Sequence, residues 1–229
     1  MVQVNNTKLF IRLKFKKTGK LQYVSHLDLV RTMHKVIVRA GLPLWYTEGF
    51  NPKPKMIFAA PLSIGTESQA EFMDLRLNEP MEPGEVMARL NRNMVSDMQI
   101  TEAYYPDSKF TELKWLSYRM RFFLCEDILS AFEKIKAALS SDSLTVTKKN
   151  DDKLIDIKPL MRLYEVTTED GYIEIYALLS ADQSAFLNPE YLVKALKENV
   201  GILKEENLMR EHYTVMRERA YFDDLSEFR

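Results

Sequence analysis

Residues 8–17 read KLFIRLKFKK, a run in which apolar and basic side chains alternate. Period-two alternation is typical of a β-strand with one face buried against a core. The apolar positions 9, 11, 13 and 15 would form the buried face, and the outer face would carry Arg12, Lys14 and Lys16. The turn-forming pair Thr18-Gly19 interrupts the pattern, so the sequence predicts a strand over residues 8–17.

The next segment, residues 25–40, has the features of a capped helix. Ser25 is a favourable N-cap, and Asp28 stands three positions on, where a capping box has Glu or Gln. Gly41 fits the C-terminal cap, because glycine adopts a left-handed backbone without strain. At about 100° per residue, one apolar stripe collects several side chains. They are His26, Val30, Met33, Ile37 and Ala40, with Leu29 and Val36 beside them.

The rest of the first half completes a regular order of elements. A second helix, opened by Pro83, is predicted over residues 83–93. The remaining strands are predicted over residues 43–47, 56–60, 70–77 and 98–105. Apart from the short extra strand at 43–47, the order is strand, helix, strand, strand, helix, strand, which is the split βαβ plan of ferredoxin-like folds.

The second half repeats this order more loosely. Strands are predicted over residues 117–125, 144–149, 154–164 and 172–179, and helices over 128–139 and 189–199. Residues 209–222 alternate weakly and fit either a strand or a helix, and their β-forming residues favour the strand. Asn188-Pro189 is typical of a helix start, and Gly201 of a helix end. We therefore predict an α+β protein with tandem ferredoxin-like domains and antiparallel sheets. The basic N-terminal domain would span residues 1–106, and the acidic C-terminal domain residues 107–229.

Charge is distributed unevenly along the chain. The first 60 residues hold eleven Lys and Arg but two acids, Asp28 and Glu48, so their formal charge is +9. The whole chain carries −1, so the remainder must sum to −10. A local positive field attracts anions whatever the net charge of the protein. The sequence therefore indicates a polyanion, RNA, as the partner of the first half.

Composition restricts the class of protein further. Cys125 is the single cysteine, so the chain alone forms no intramolecular disulfide, cysteine-ligated iron–sulfur cluster or all-cysteine zinc site. The apolar residues before Cys125 predict a buried thiol. The three histidines are scattered, and no apolar run approaches the roughly 20 residues that cross a bilayer. We expect a cytosolic protein without a metal, a cofactor or a membrane segment.

Several short motifs resemble those of a known family. They are Lys17-Thr18-Gly19, Ser25 to Arg31, Arg39 to Pro43, Gly49 to Lys55, Pro61 to Gly65, Glu71, Asp74 and, less closely, Ile155 to Leu160. From Lys14 to Leu77 the chain resembles bacterial radical-SAM-linked proteins, a domain of unknown function that occurs alone or as the C-terminal part of radical SAM proteins. The resemblance implies a radical SAM partner and a context of RNA metabolism, without an established activity. Members often have His where this chain has Lys53, which argues against an essential histidine there.

The loop at residues 48–55 is the first candidate binding site. Pro52 and Pro54 restrict its backbone to extended geometry, so its two lysines would be presented with little conformational entropy left to lose. Phe50 would either anchor the loop or stack on a base. The expected RNA contacts in the loop are Phe50, Asn51, Lys53 and Lys55.

Two further basic clusters extend this site. The expected RNA contacts from the first strand and from the helix are Lys14, Lys16, Lys17, Arg31, Lys35 and Arg39. The three helix residues align at i, i+4 and i+8. Each cluster alone is also typical of a solvated surface, and the sequence leaves open whether they share one face with the loop.

Tyr23 and His26, near the start of the helix, are the catalytic candidates. RNA cleavage without a metal needs a base, an acid and a cation at the phosphate, which these two residues with Lys53 or Lys55 would supply. His26 is equally explained as a buried structural histidine, and Asp28 by capping alone. Three functions stay open: an RNA-binding accessory module that works with a radical SAM protein in RNA modification or processing, a metal-independent endoribonuclease, and a protein–protein adaptor.

Overall fold

The structure is a computed structural model that describes residues 9–125, 127–148, 153–169, 171–204 and 210–229. It divides into two compact units, one formed by Met1–Glu112 with Arg229 and the other by Leu113–Phe228. Helices and antiparallel strands make up both units, so the predicted α+β class is confirmed. The sequence-based boundary at residue 106 lies a few residues before this division.

The first unit follows the predicted order of elements. Its strands and helices are β1 (Phe10–Lys17), α1 (His26–Arg39), β2 (Met56–Phe58), β3 (Thr66–Arg76), α2 (Pro83–Asn91) and β4 (Ile100–Tyr104). The strands pair antiparallel in the order β4-β1-β3-β2. The extra strand predicted at residues 43–47 is wrong, because this segment makes only isolated bridges from Leu44 and Tyr46.

Helix α1 begins and packs as its sequence predicts. The Ser25 hydroxyl accepts a hydrogen bond from the Asp28 backbone N–H at 3.2 Å, which confirms the N-cap. The helix buries Leu29, Met33, Val36 and Ile37. These side chains share one core with Ile11, Leu13 and Phe15 of β1 and with Val86 and Leu90 of α2. Both helices therefore cover the same face of the sheet.

The second unit repeats this pairing scheme. Its elements are β5 (Trp115–Phe123), α3 (Ile128–Ser140), β6 (Thr145–Thr147), β7 (Leu154–Asp156), β8 (Met161–Glu169), β9 (Tyr172–Ser180), α4 (Pro189–Val200) and β10 (His212–Tyr221). Four strands pair antiparallel in the order β10-β5-β9-β8, and β6 pairs with β7 as a separate hairpin. The predicted strand near the C-terminus is confirmed as β10. Lys8, Lys149 and Met209, at the ends of predicted strands, lie outside the described residues.

The strand predicted over residues 154–164 is wrong as a single element. A 3-10 turn at Lys158–Leu160 separates β7 from β8. The Asp156 carboxylate accepts hydrogen bonds from the backbone N–H groups of Leu144 at 2.9 Å and Lys158 at 3.0 Å. These bonds, with Pro159 lacking a backbone donor, turn the chain out of the extended conformation. The segment from Asp156 to Leu160 thus ties the hairpin to α3, where the Lys158 ammonium donates to the Leu139 carbonyl.

Two further properties bear on the class of protein. Cys125 is exposed just beyond the end of β5, so the prediction of a buried thiol is wrong. Its backbone N–H donates to the Glu211 carboxylate at 3.2 Å and not to a neighbouring strand. None of the helices in the described ranges has the length and hydropathy needed to cross a bilayer.

Candidate nucleic-acid interface

A hairpin-like loop, residues 45–55, extends from the sheet of the first unit, and we call it the basic ribbon. At its base the Lys55 N–H donates to the Trp45 carbonyl at 3.1 Å. Both residues also bond to the backbone of Arg76, at the end of β3, with two further bonds of 3.1 Å. Tyr46 and Pro54 form a bridge one residue further out. The ribbon is therefore continuous with the hydrogen-bond network of the sheet.

The tip of the basic ribbon is closed by a pair of reciprocal bonds. The Thr47 N–H donates to the Lys53 carbonyl at 2.9 Å, and the Lys53 N–H donates to the Thr47 hydroxyl at 3.1 Å. Between these two residues the chain is exposed, and the ring of Phe50 is completely exposed. Of the two roles open for Phe50, anchoring the loop is thereby excluded, because no residue in the described ranges covers its ring.

The two lysines of the basic ribbon point away from its packed side. Pro54 is buried, whereas Lys53 is exposed and Lys55 is half-buried. Because successive side chains of an extended chain alternate in direction, both lysines lie on the side opposite Pro54. At the base the Arg76 guanidinium lies 4.3 Å from the ring centroid of Trp45, a cation–π contact that adds to the hydrogen bonds.

The lysines of β1 differ in what they can contact. The Lys14 ammonium pairs with the Glu102 carboxylate at 2.8 Å, and Lys16 is half-buried. Lys17 is 1% exposed, and its ammonium donates to the carbonyls of Gln22 at 3.4 Å and Val24 at 3.0 Å. Lys17 therefore does not reach an external ligand, contrary to the sequence-based expectation. It lies on the helix side of the sheet, like Phe15.

Helix α1 presents the third basic cluster. Arg31, Lys35 and Arg39 are all exposed, as their spacing predicts. The Arg31 guanidinium pairs with the Asp28 carboxylate at 3.0 Å, which partly neutralises it. The hydroxyl of Ser25 also bonds to this carboxylate, and the two contacts together lower the pKa of Asp28 below its ordinary value.

The basic clusters do not form one continuous face. Lys14 pairs in register with Phe72, on the sheet face opposite the helices. Arg31, Lys35 and Arg39 lie on the solvent side of α1, which covers the other face. The helix cluster and the β1 cluster thus lie on opposite sides of the first unit.

The catalytic candidates lie apart from the ribbon lysines. Tyr23 is 67% exposed, and His26 is exposed with its ring edge-on to Phe58, 5.4 Å between centroids. The expectation of a buried His26 is wrong, because the buried stripe of α1 begins one turn later, at Leu29. Three residues of extended chain, about 10 Å, separate Phe58 from Lys55. His26 and the ribbon lysines therefore lie towards opposite ends of β2.

Sequence reasoning missed a buried ionic cluster around Arg12, which it placed on an exposed strand face. Arg12 is 0% exposed, and its guanidinium forms a bidentate pair with Asp74 at 2.8 and 2.9 Å. It also donates to the hydroxyl and carbonyl of Ser108 at 2.7 and 3.0 Å, and to the main-chain oxygen of Arg229 at 3.0 Å. The Phe110 ring lies over it at 4.3 Å.

The Arg12 cluster is closed to ligands and has a structural role. All five N–H donors of a guanidinium are used by these bonds. Burial raises the pKa of the Asp74 carboxyl above its ordinary value, and the paired guanidinium opposes this rise. Burial also raises the pKa of the neighbouring Tyr104 hydroxyl. Arg12 lies two residues from Lys14 in an alternating strand, and nothing in that pattern indicates that its side chain is buried.

A family model described as an uncharacterized protein conserved in bacteria (DUF2344) matches residues 11–189. The chain belongs to this family. The match includes β1 to β9, and thus the basic ribbon and the segment from Asp156 to Leu160. No curated protein matches the chain. Within the described residues, no three His, Cys, Asp or Glu side chains are grouped as metal ligands.

Two solved structures match the chain, and one of them is similar to it in fold. One is a chain from the crystal structure of a Cbf5-Nop10-Gar1 complex, with a TM-score of 0.53 and 11% identity over 94% of this chain and 50% of that chain. The present chain thus spans about half of that relative's length. The other is an unknown protein from Galdieria sulphuraria, with a TM-score of 0.26 and 10% identity over 91% and 98% of the two chains. The first likeness shows a related fold, and the second carries no argument.

Proposed function

We propose that the protein is a cytosolic RNA-binding accessory module that works with a radical SAM protein in RNA modification or processing. The basic ribbon carries this proposal. It combines two lysines on one side, Lys53 and Lys55, with the fully exposed ring of Phe50 at its tip. Cations that meet phosphates, beside an aromatic ring that stacks on a base, are the elements with which proteins bind single-stranded nucleic acid.

Preorganisation of the ribbon strengthens the argument. The bonds between Thr47 and Lys53 close the tip, and those at Trp45, Lys55 and Arg76 fix the base. A segment already ordered in the free protein loses little conformational entropy when it binds, so more of the contact energy appears as affinity. An exposed aromatic ring on a rigid support also exposes apolar area to water, which binding to a base would bury.

The helix cluster would add attraction at longer range. Lys35 and Arg39 lie one helical turn apart on the solvent side of α1. Arg31 contributes less, because Asp28 neutralises part of its charge. We expect these residues to increase the rate of association with RNA more than they increase the lifetime of the complex.

The radical SAM partner follows from the resemblance of residues 14–77 to radical-SAM-linked proteins. An iron–sulfur cluster of the radical SAM type needs three cysteines, and this chain has only Cys125. Any radical step therefore belongs to the partner, and this chain would present the RNA. We also propose that the two units are tandem ferredoxin-like domains, which their shared strand order supports.

A protein–protein adaptor is the second candidate, and one observation favours it. Tyr23 and Leu27 are 67% and 58% exposed at the start of α1. The Gly65 N–H donates to the Gln22 carbonyl at 2.9 Å, which places exposed Ile64 close to them. Such a group of exposed apolar side chains is typical of a surface that binds another protein.

The test is binding of the purified protein to fluorescently labelled single-stranded RNA at 50 mM salt, followed by anisotropy. If each lysine neutralises one phosphate, Lys53→Ala/Lys55→Ala should weaken binding roughly 60-fold at this salt concentration. The factor is the gain in affinity between about 1 M and 50 mM salt that two phosphate contacts supply, at a slope of about −0.7 each. Phe50→Ala should weaken it by about 5- to 150-fold, the effect of one lost base stack. The matched control, Lys134→Ala/Lys136→Ala, removes two lysines of the same spacing from α3 and should change nothing.

Each outcome separates the candidates. Equal affinities for the wild type and both ribbon variants would refute the ribbon as the RNA contact. A wild-type protein that does not bind RNA at 50 mM salt would refute the RNA-binding function. In that case the adaptor function would be tested with a Leu27→Asp variant. If the exposed apolar group binds another protein, this variant should lose a protein that co-purifies with the wild type.

A further inference from the structure

One face of the sheet of the second unit is covered, and part of the other face, around Arg119 and Arg121, is open. Helix α3 contacts β8 and β9. Along β5, the buried residues Tyr118, Met120 and Phe122 alternate with Arg119 and Arg121, which are half-buried. Because side chains of a strand alternate between faces, the two arginines lie on the face opposite the buried core.

Aromatic and charged residues are paired across this open face. In the register of β5 and β9, Arg119 lies opposite Tyr176, and Arg121 lies opposite Glu174. The Tyr176 hydroxyl also lies 3.5 Å from that of Tyr221 on β10. We call Arg119, Arg121, Glu174 and Tyr176 the sheet platform. It occupies β5 and β9, the two central strands in the order β10-β5-β9-β8.

Ion pairs hold the two guanidinium groups of the sheet platform in place. Glu174 accepts from Arg119 Nη1 at 2.8 Å and from Arg121 Nε at 2.7 Å. Glu218 accepts from Arg119 Nε at 2.5 Å. Each guanidinium is thus oriented by a carboxylate, while its side chain stays about two-fifths exposed. Fixed, planar and partly exposed guanidinium groups are suited to stacking on bases.

A cavity of about 370 Å³ opens on the same face. Its lining residues are Arg119, Glu165, Thr167, Glu174 and Tyr176. They provide hydrogen-bond donors and acceptors beside one aromatic ring, which suits the polar edge and apolar face of a nucleobase. With two carboxylates and one guanidinium, the lining has no excess of positive charge that would attract phosphate.

We propose that the sheet platform binds unstacked nucleobases of single-stranded RNA, with Tyr176 as the stacking residue. Known RNA-binding domains with a four-stranded antiparallel sheet stack bases on aromatic side chains of the open face. This inference shares its ligand with the proposed function but uses a different surface and a different kind of contact. Binding at the platform is governed by stacking and hydrogen bonds, so it should persist at salt concentrations that suppress contacts to phosphate.

The experiment compares a fluorescently labelled single-stranded RNA 8-mer with its duplex at 300 mM salt. The wild-type protein should bind the single strand and not the duplex, whose bases are stacked. Tyr176→Ala should weaken binding by about 5- to 150-fold. Tyr176→Phe, which keeps the aromatic ring, should retain most of the affinity. The control is Tyr164→Ala, which removes an exposed tyrosine of β8 that does not line the cavity.

Each result decides for or against the platform. Unchanged affinity in Tyr176→Ala would overturn the inference. If that variant fails to fold, Tyr176→Leu keeps apolar bulk without an aromatic face, and its affinity should fall similarly. Binding that vanishes at 300 mM salt but is strong at 50 mM would overturn the platform and leave the ribbon in place. Loss in Tyr176→Ala, with no effect of Lys53→Ala/Lys55→Ala at low salt, would support the platform and refute the ribbon.

Discussion

Replacing Asp74 by Asn should destabilise the first unit strongly. The substitution keeps the shape of the side chain but removes the negative charge that pairs with Arg12. The guanidinium is fully buried, and its remaining acceptors are the hydroxyl and carbonyl of Ser108 and the main-chain oxygen of Arg229. One of the two bonds to Asp74 would also become a contact between two donors.

The size of the effect follows from the burial of both partners. Removing one partner of a buried ion pair leaves an uncompensated charge, which costs about 3–5 kcal/mol. That is a large part of the roughly 5–15 kcal/mol by which a folded domain is stable. Replacing both partners, as in Arg12→Met/Asp74→Leu, should recover most of the loss, because no charge remains buried.

Urea unfolding followed by tryptophan fluorescence measures this free energy. The chain has two tryptophans, so a Trp115→Phe background leaves Trp45 as the reporter of the first unit. The control is Glu85→Gln, which breaks an exposed pair with Arg89 at 2.5 Å on α2. It should cost less than about 0.5 kcal/mol. A loss below about 1 kcal/mol in Asp74→Asn would refute the reasoning that this pair anchors the fold.

Three smaller effects are expected elsewhere. Ser25→Ala should cost about 1 kcal/mol by removing the N-cap of α1, measured as faster amide exchange in its first turn. Cys125, being exposed, should react fully with iodoacetamide in native buffer, and a yield that requires denaturant would contradict its placement. Desolvation acts to raise the pKa of Asp156, but it is outweighed by the bonds from the N–H groups of Lys158 and Leu144 together with the Ser143 side chain and the charge of Lys158, so the pKa lies below its ordinary value of 3.8. The hairpin should therefore be stabilised above about pH 4 and loosen as the pH falls through the lowered pKa, and in Asp156→Asn its exchange protection should no longer change across this range.

Local patterns predicted the elements of the fold well. The capping residues at Ser25 and Asn188 and the left-handed glycines at Gly41 and Gly201 act within a few residues of themselves, so the sequence contains their whole environment. The break in the segment from Asp156 to Leu160 was missed. There the Asp156 carboxylate accepts a hydrogen bond from the N–H of Leu144, twelve residues earlier in the chain. An alternating strand pattern contains no information about a partner at that distance.

The candidate site was predicted only in part, because burial depends on partners that are remote in sequence. Lys17 and Arg12 read as surface residues, yet one ammonium finds backbone carbonyls before α1 and one guanidinium finds Asp74 on β3. The error for His26 was the opposite one, because its side chain was expected to be buried and is exposed. The apolar stripe of a helix does not show where the facing sheet ends. In contrast, the exposure of Lys53 and Phe50 follows from the two prolines and the turn, which are local.

The salt dependence of RNA binding tests the central role of the basic ribbon most directly. The logarithm of the affinity should fall linearly with the logarithm of the salt concentration, with a slope of about −0.7 for each phosphate that is neutralised on a single strand. We predict that Lys53→Ala/Lys55→Ala makes this slope shallower by about 1.4, whereas Lys134→Ala/Lys136→Ala leaves it unchanged. A ribbon variant with the slope and affinity of the wild type would contradict the account.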